Sequence, residues 1–213
     1  MKIKKLGHCC LLINDNEKTL LTDPGAYSTT QNNVVGIDVV LITHEHADHL
    51  HTESLKQVLQ NNPNAIIASN TSVAKLLESE NISVEIIEEG CEKVISGFKL
   101  QGFGTTHADI FDTVNPVQNT GYFINDRLFY PGDALTNPGR PIDILALPIA
   151  GPWLTIRQAL EYAILLKPKT IFPVHDGMLV DGREGPVHRL SGIVLPNHGI
   201  EFILMKDGDE KEF

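Results

Sequence analysis

The sequence predicts an α/β protein. Short apolar, β-branched runs alternate with amphipathic stretches, the mark of strands and helices in turn. Strands come first and helices after, and that order occurs twice, in residues 1–90 and again in residues 93–205. The 213 residues, 42% hydrophobic and 21% charged, suit one soluble domain spanning residues 1–213.

Residues 2–6, 10–14 and 18–22 read as short strands, the last two joined by the turn signal Asn14-Asp15-Asn16. Thr22-Asp23-Pro24-Gly25 ends the third, and Asp23 reads first as a turn residue. Residues 38–42 (Asp38-Val39-Val40-Leu41-Ile42) read as a buried strand and residues 52–59 as a short helix. A strand at 65–68, a helix at 71–79 capped by Ser69 or Asn70, and a strand at 84–87 complete the first half.

The second half opens with a hairpin, 93–95 and 98–102, around Ser96-Gly97. A second hairpin, 120–125 and 127–130, turns on Asn125-Asp126 and ends in Pro131-Gly132-Asp133. Residues 142–148 form a buried strand. Thr155 and Gln158 make a capping box for a helix that turns Ile156, Leu160, Ala163 and Ile164 inward, until Pro168 stops it. Trp153 is expected to pack rather than bind. Residues 169–174 are the next strand, with His175-Asp176 at its end, and 201–205 the last. Loops are expected at 27–36, 108–118 and 177–189, and the charged tail 206–213 is expected in solvent. Arg183, His188 and Arg189 read as solvated loop residues before they read as a hold for an anion.

Charge bounds the partners. A net charge of −10 and a pI near 5.3 argue against nucleic acid or an anionic membrane, which call for a basic stripe. A small-molecule substrate remains. The basic start, Met1-Lys2-Ile3-Lys4-Lys5-Leu6, lacks the apolar core of a signal peptide, and no run reaches the ~20 apolar residues of a membrane span. Three cysteines, Cys9 and Cys10 adjacent, make no disulfide framework, which suits a reducing cytoplasm. Cys9 and Cys10 read as small strand residues.

The chemistry sits in Thr43-His44-Glu45-His46-Ala47-Asp48-His49, on the turn leaving the buried strand. Imidazole nitrogen and carboxylate oxygen both suit zinc and its neighbours. Two ions fit the spacing better than one. His44 and His46 can reach one, and Asp48 and His49 a second. The bland alternative is a polar loop with histidines there by accident.

This run resembles the His-x-His-x-Asp-His signature of the metallo-β-lactamase-fold hydrolases, and the likeness extends along the chain. It implies a four-layer αβ/βα sandwich of two mixed sheets with outer helices. His107, in Gly104-Thr105-Thr106-His107, takes the place of the family's next ligand, beside His44 and His46. Asp133 takes the place of the carboxylate that bridges both metals, and His175 that of the last ligand, on the second metal with Asp48 and His49. An Asp placed like Asp23 supports the metal loop without binding metal. The Gly7-His8 pair is similar to one in the lactonase-like branch, where the first strands border the cleft.

The resemblance implies a hydrolase holding two divalent ions, zinc in preference to manganese or iron. A shared hydroxide would attack a carbonyl centre (lactone, thioester or amide) or a phosphoryl centre, with Asp48 orienting the water or passing its proton. Rivals on the same fold are an iron-dependent oxidoreductase, a phosphodiesterase or nuclease, and a non-catalytic relative. The first usually carries Glu where His46 stands, and the second a basic surface. Seven filled ligand positions speak against the third.

Overall fold

The computed structural model describes residues 1–180 and 182–213. β1 (Lys2–Gly7), β2 (Cys10–Asp15) and β3 (Lys18–Thr22) pair antiparallel. β4 (Val39–Leu41), β5 (Ile66–Ser69) and β6 (Glu85–Ile86) extend the sheet in parallel. α1 (Thr52–Asn61) and α2 (Thr71–Glu78) are the crossovers that parallel pairing demands. The second half repeats the scheme. β7 (Glu92–Ile95), β8 (Phe98–Phe103), β9 (Gly121–Ile124) and β10 (Leu128–Tyr130) pair antiparallel. β11 (Ile144–Pro148), β12 (Thr170–Val174) and β13 (Glu201–Phe202) then run parallel, with α3 (Ile156–Leu166) and α4 (Gly185–Val194) between them.

Strand periodicity builds four layers. In β4, Val39 and Leu41 face the core between the sheets, while Val40 and the following Ile42 face Leu55, Val58, Val73 and Leu77 of α1 and α2. In β11, Ile144 and Ala146 face the inter-sheet core, and Leu145 and Leu147 meet Leu160 and Ala163 of α3. Central strands buried on both faces must be apolar throughout, which is why β4 and β11 read as unbroken apolar runs. The architecture is the expected αβ/βα sandwich. Both expected caps form: Asn70 accepts from Val73 N, and Thr155 with Gln158 closes a capping box. Lys167 then turns left-handed (φ 51°) before Pro168.

Four expectations are corrected. The tail does not run free in solvent: β14 (Glu210–Glu212) pairs antiparallel with β1, opposing Lys4 to Glu210 and Lys2 to Glu212. Its backbone carries the pairing and its charged side chains stay exposed, Glu210 meeting Lys2 Nζ at 2.8 Å across the strands, and Phe213 packs on Phe172. The loop expected over 177–189 becomes α4 from Gly185, because Pro186 in the first turn is pre-set for a helix. Asp181, in the same stretch, lies outside the described residues. In α3, Tyr162 is buried while Ile164 is only half-buried. The last strand of the second sheet is only Glu201–Phe202.

Candidate metal centre

The turn after β4 is pressed against the Asp23-Pro24-Gly25 turn. Ala26 N–H donates to Ala47 C=O at 2.8 Å and His51 N–H to Pro24 C=O at 3.1 Å. A side chain on Gly25 would begin 1.7 Å from the Asp48 carbonyl oxygen, so only glycine fits this approach. Asp23 organises the loop. Its Oδ1 accepts from Thr43 N–H at 2.8 Å, and its Oδ2 accepts from Thr43 Oγ1 at 2.8 Å, His49 Nδ1 at 2.7 Å and Tyr130 O–H. It therefore orients both a loop amide and an imidazole, with no place in either cluster described below.

All seven residues singled out in the sequence converge at one edge of the sandwich, each on a segment that follows a strand. His44 Nε2 and His46 Nδ1 lie 3.2 Å apart. With His107 and Asp133 they form a first cluster, whose donor atoms lie within 4.8 Å of one another. His49 and His175 belong to a second cluster with His8 and Cys9, within the same limit. Asp48 Oδ2 borders this second cluster, 3.9 Å from His49 Nε2 and 3.6 Å from His175 Nε2. Asp133 stands between the two. Its Oδ1 is 3.1 Å from His49 Nε2, and its Oδ2 is 2.9 Å from His175 Nε2 and 3.3 Å from His107 Nε2.

Hydrogen bonds at the back of the rings decide what the front can do. His49 Nδ1 is engaged by Asp23, His107 Nδ1 by Ala108 C=O at 2.5 Å and His175 Nδ1 by Ala150 C=O at 2.5 Å. Each anchor keeps a proton on Nδ1, so each ring, once its Nε2 gives up its own proton, turns an Nε2 lone pair inward. These three Nε2 atoms and Asp133 Oδ1 are buried without a hydrogen-bond partner. Buried polar atoms are otherwise almost always satisfied, and leaving one unmade costs roughly 1–3 kcal/mol. Inward-facing, unpartnered imidazole and carboxylate atoms therefore fit divalent cations as their missing partners.

The two clusters differ in charge. Burial, with the neighbouring His49 ring, holds His44 well below its ordinary pKa, and burial with His107 lowers His46. Burial also opposes charge on His49, yet Asp133 and Cys9 outweigh it and raise its pKa well above normal. His175 is raised against its burial by Cys9 and Asp133. Burial works against the Asp133 carboxylate too, but the His49, His107 and His175 rings hold its pKa well below the usual range. Asp48 is held at about 2, its burial offset by the His8 hydrogen bond and the His49 ring.

A cleft of about 210 Å³ opens above the clusters, walled by Tyr27, Ile110, Pro152, Trp153 and Met178 and floored by His46, Asp48, His107, Asp133 and His175. Tyr27 and Ile110 come from the two polar loops expected to border it. Trp153 packs, as expected, and also donates from Nε1 to Asp133 Oδ2 at 2.9 Å. Arg183 and Arg189 are exposed and His188 turns to Asp176 at 3.2 Å, so none of the three lines the cleft.

Residues 2–175 match the β-lactamase superfamily domain. The chain belongs to that superfamily. Protein Rv0786c of Mycobacterium tuberculosis is 32% identical over 190 residues, covering 87% of this chain and 88% of that protein. The UPF0173 metal-dependent hydrolase MJ1163 of Methanocaldococcus jannaschii is 27% identical, covering 79% and 81%. The metallo-β-lactamase fold protein YhfI of Bacillus subtilis superposes with a TM-score of 0.76 at 16% identity, covering 99% of this chain and 98% of YhfI. At that identity the likeness speaks for the fold. The family model places the chain in that superfamily, the likeness to YhfI gives it the metallo-β-lactamase fold, and relatives such as MJ1163 are named as metal-dependent hydrolases.

His8, Cys9 and Trp153 were not assigned to the site from the sequence. His8 and Cys9 lie on the β1–β2 turn, some 35 residues before the histidine run, and only the Gly7-His8 resemblance hinted at the first. Nothing local marks Trp153 as a partner of Asp133.

Proposed function

We propose that this domain, residues 1–213, is a dinuclear hydrolase that cleaves a small substrate at a carbonyl or phosphoryl centre. His44, His46 and His107 would hold one divalent cation and Asp48, His49 and His175 the other, with Asp133 shared. The observation that carries this reading is the set of buried, unpartnered Nε2 atoms of His49, His107 and His175, each aimed toward Asp133 by an anchored Nδ1. Zinc is the favoured ion, since imidazole-rich sites suit it, with manganese or iron as alternatives. Such ions lower the pKa of bound water from about 16 to about 7 and polarise the substrate oxygen.

The chain's own groups do the rest. Asp48 is ionised at neutral pH and, with its side chain 20% exposed, faces the cleft. It can therefore orient a water and accept its proton at Oδ1 or Oδ2. Trp153 N–H steadies Asp133 from the substrate side and shields it from bulk water. Tyr27, Ile110, Pro152 and Met178 exclude solvent around a small substrate. Three unpaired cysteines suit work in a reducing cytoplasm.

The deciding experiment pairs elemental analysis with a panel of lactone, thioester, amide and phosphodiester substrates. The expected result is two equivalents of metal per chain and turnover that chelation abolishes and Zn²⁺ restores. One equivalent, or turnover that survives chelation, overturns the reading.

A further inference from the structure

His8 has no part in the function proposed above, yet it is 1% exposed and sits against the second cluster with a left-handed backbone, φ 49°. Its ring is held on both sides: the His175 ring lies 4.2 Å away and the Tyr27 ring 5.1 Å. The backbone is held as well, since His175 N–H donates to His8 C=O at 3.2 Å. Gly177 lies so close that a side chain there would start 2.9 Å from His8 Cβ.

That closeness sets the ring's chemistry. Gly177 N–H donates to His8 Nδ1 at 3.1 Å. The nitrogen that accepts cannot carry the proton of a neutral imidazole, so the proton is on Nε2. Nε2 lies 3.2 Å from Asp48 Oδ2 and donates to it. Protonating the ring would leave this donor in place and only set a second N–H against the Gly177 amide. An N–H nitrogen has no lone pair for a cation, so His8 is no ligand, although it groups with Cys9, His49 and His175.

We propose that His8 is a positioning residue that holds the Asp48 carboxylate toward the His49–His175 half of the centre. The Gly177 amide fixes the tautomer, the tautomer supplies the donor, and the donor removes one rotational freedom from Asp48. The β1–β2 turn thereby sets the geometry of a loop from another part of the chain. This inference rests on Asp48 being a cation ligand, as read above.

The test is Co²⁺ titration of metal-stripped protein, followed by visible absorbance, for the wild type, His8→Gln, His8→Leu and Asp48→Asn. Gln and Leu meet the same backbone cost at φ 49° but differ in the N–H they offer, so their difference isolates the donor. Thermal unfolding of each variant checks the fold. His8→Leu is expected to weaken the second equivalent about 10–100-fold, as the loss of a ligand's supporting partner does, with His8→Gln within about threefold of wild type. The first equivalent should be unchanged in both. Equal loss in the two His8 variants, or loss in neither, overturns the proposal. If Asp48→Asn leaves the second equivalent intact, the ligand reading itself has failed. If Asp48→Asn weakens it and the His8 pair does not separate, only the positioning role is lost.

Discussion

The two clusters of the candidate metal centre are built differently, though Asp133 stands between them. The first cluster takes His44 and His46 from one run, with His107 and Asp133 from strand ends of the second sheet. Its His44 and His46 rings have lowered pKa values, so they enter as neutral bases with lone pairs available. The second cluster is a negotiated site. Its His49 and His175 are raised by Asp133 and Cys9, and Asp23 and His8 brace it from the first sheet. The lesson is that local spacing supplies two of the first cluster's four members, while its neighbour leans on hydrogen bonds from Asp23 and His8, 26 and 40 residues away from their partners in sequence.

The severest way to break the contrast is Asp133→Ala. It removes the group both clusters share, and turnover should fall by more than the ~10–100-fold typical of an outer partner, with metal content dropping below one equivalent. Elemental analysis with steady-state kinetics would reveal it. Asp48→Asn comes next: kcat should fall on the order of 10²–10⁴-fold, with circular dichroism and Tm preserved. Retention of full turnover at saturating metal would refute its catalytic role.

Asp23→Ala sharpens the difference. Four donors lose their acceptor, so the protein should lose about 1–3 kcal/mol of stability, and the second equivalent of metal should weaken about 10–100-fold while the first changes less. Denaturant unfolding and stepwise chelator titration measure the two effects. A loss shared equally by both equivalents would erase the distinction drawn here.

The smallest effect is in pH. His49 and His175 hold protons to higher pH than free histidine, and metal must displace them, whereas His44 and His46 have none to lose near neutrality. Lowering pH from 8 to 6 should thus weaken the second equivalent more steeply than the first in the same titration. Parallel slopes would count against the charge difference between the clusters.

Much of the site was legible because ligand chemistry is written in residue type and strand punctuation. The run from His44 to His49 follows an apolar strand, and His107, Asp133 and His175 each follow another. The less legible parts share a cause. His8 is one histidine in a turn, and its meaning lies in Gly177, 169 residues away. Trp153 looked like core because most of it is core, and only its N–H reaches Asp133. The tail looked solvated because β14 exposes every side chain while pairing its backbone, and side-chain polarity says nothing about main-chain partners.

What the amino-acid order determined alone was the alternation that sorts each strand's faces, the caps of α2 and α3, and the residue types at His44, His46, Asp48, His49, His107, Asp133 and His175. These depend on residues a few positions apart, where covalent geometry limits the choices. The tertiary structure alone decided which nitrogen of each imidazole faces inward, which loop Asp23 braces, and where Asp48 points. Those follow mostly from hydrogen bonds between residues far apart in sequence, such as Asp23 to His49, Ala150 to His175 and Gly177 to His8, and no local pattern records them.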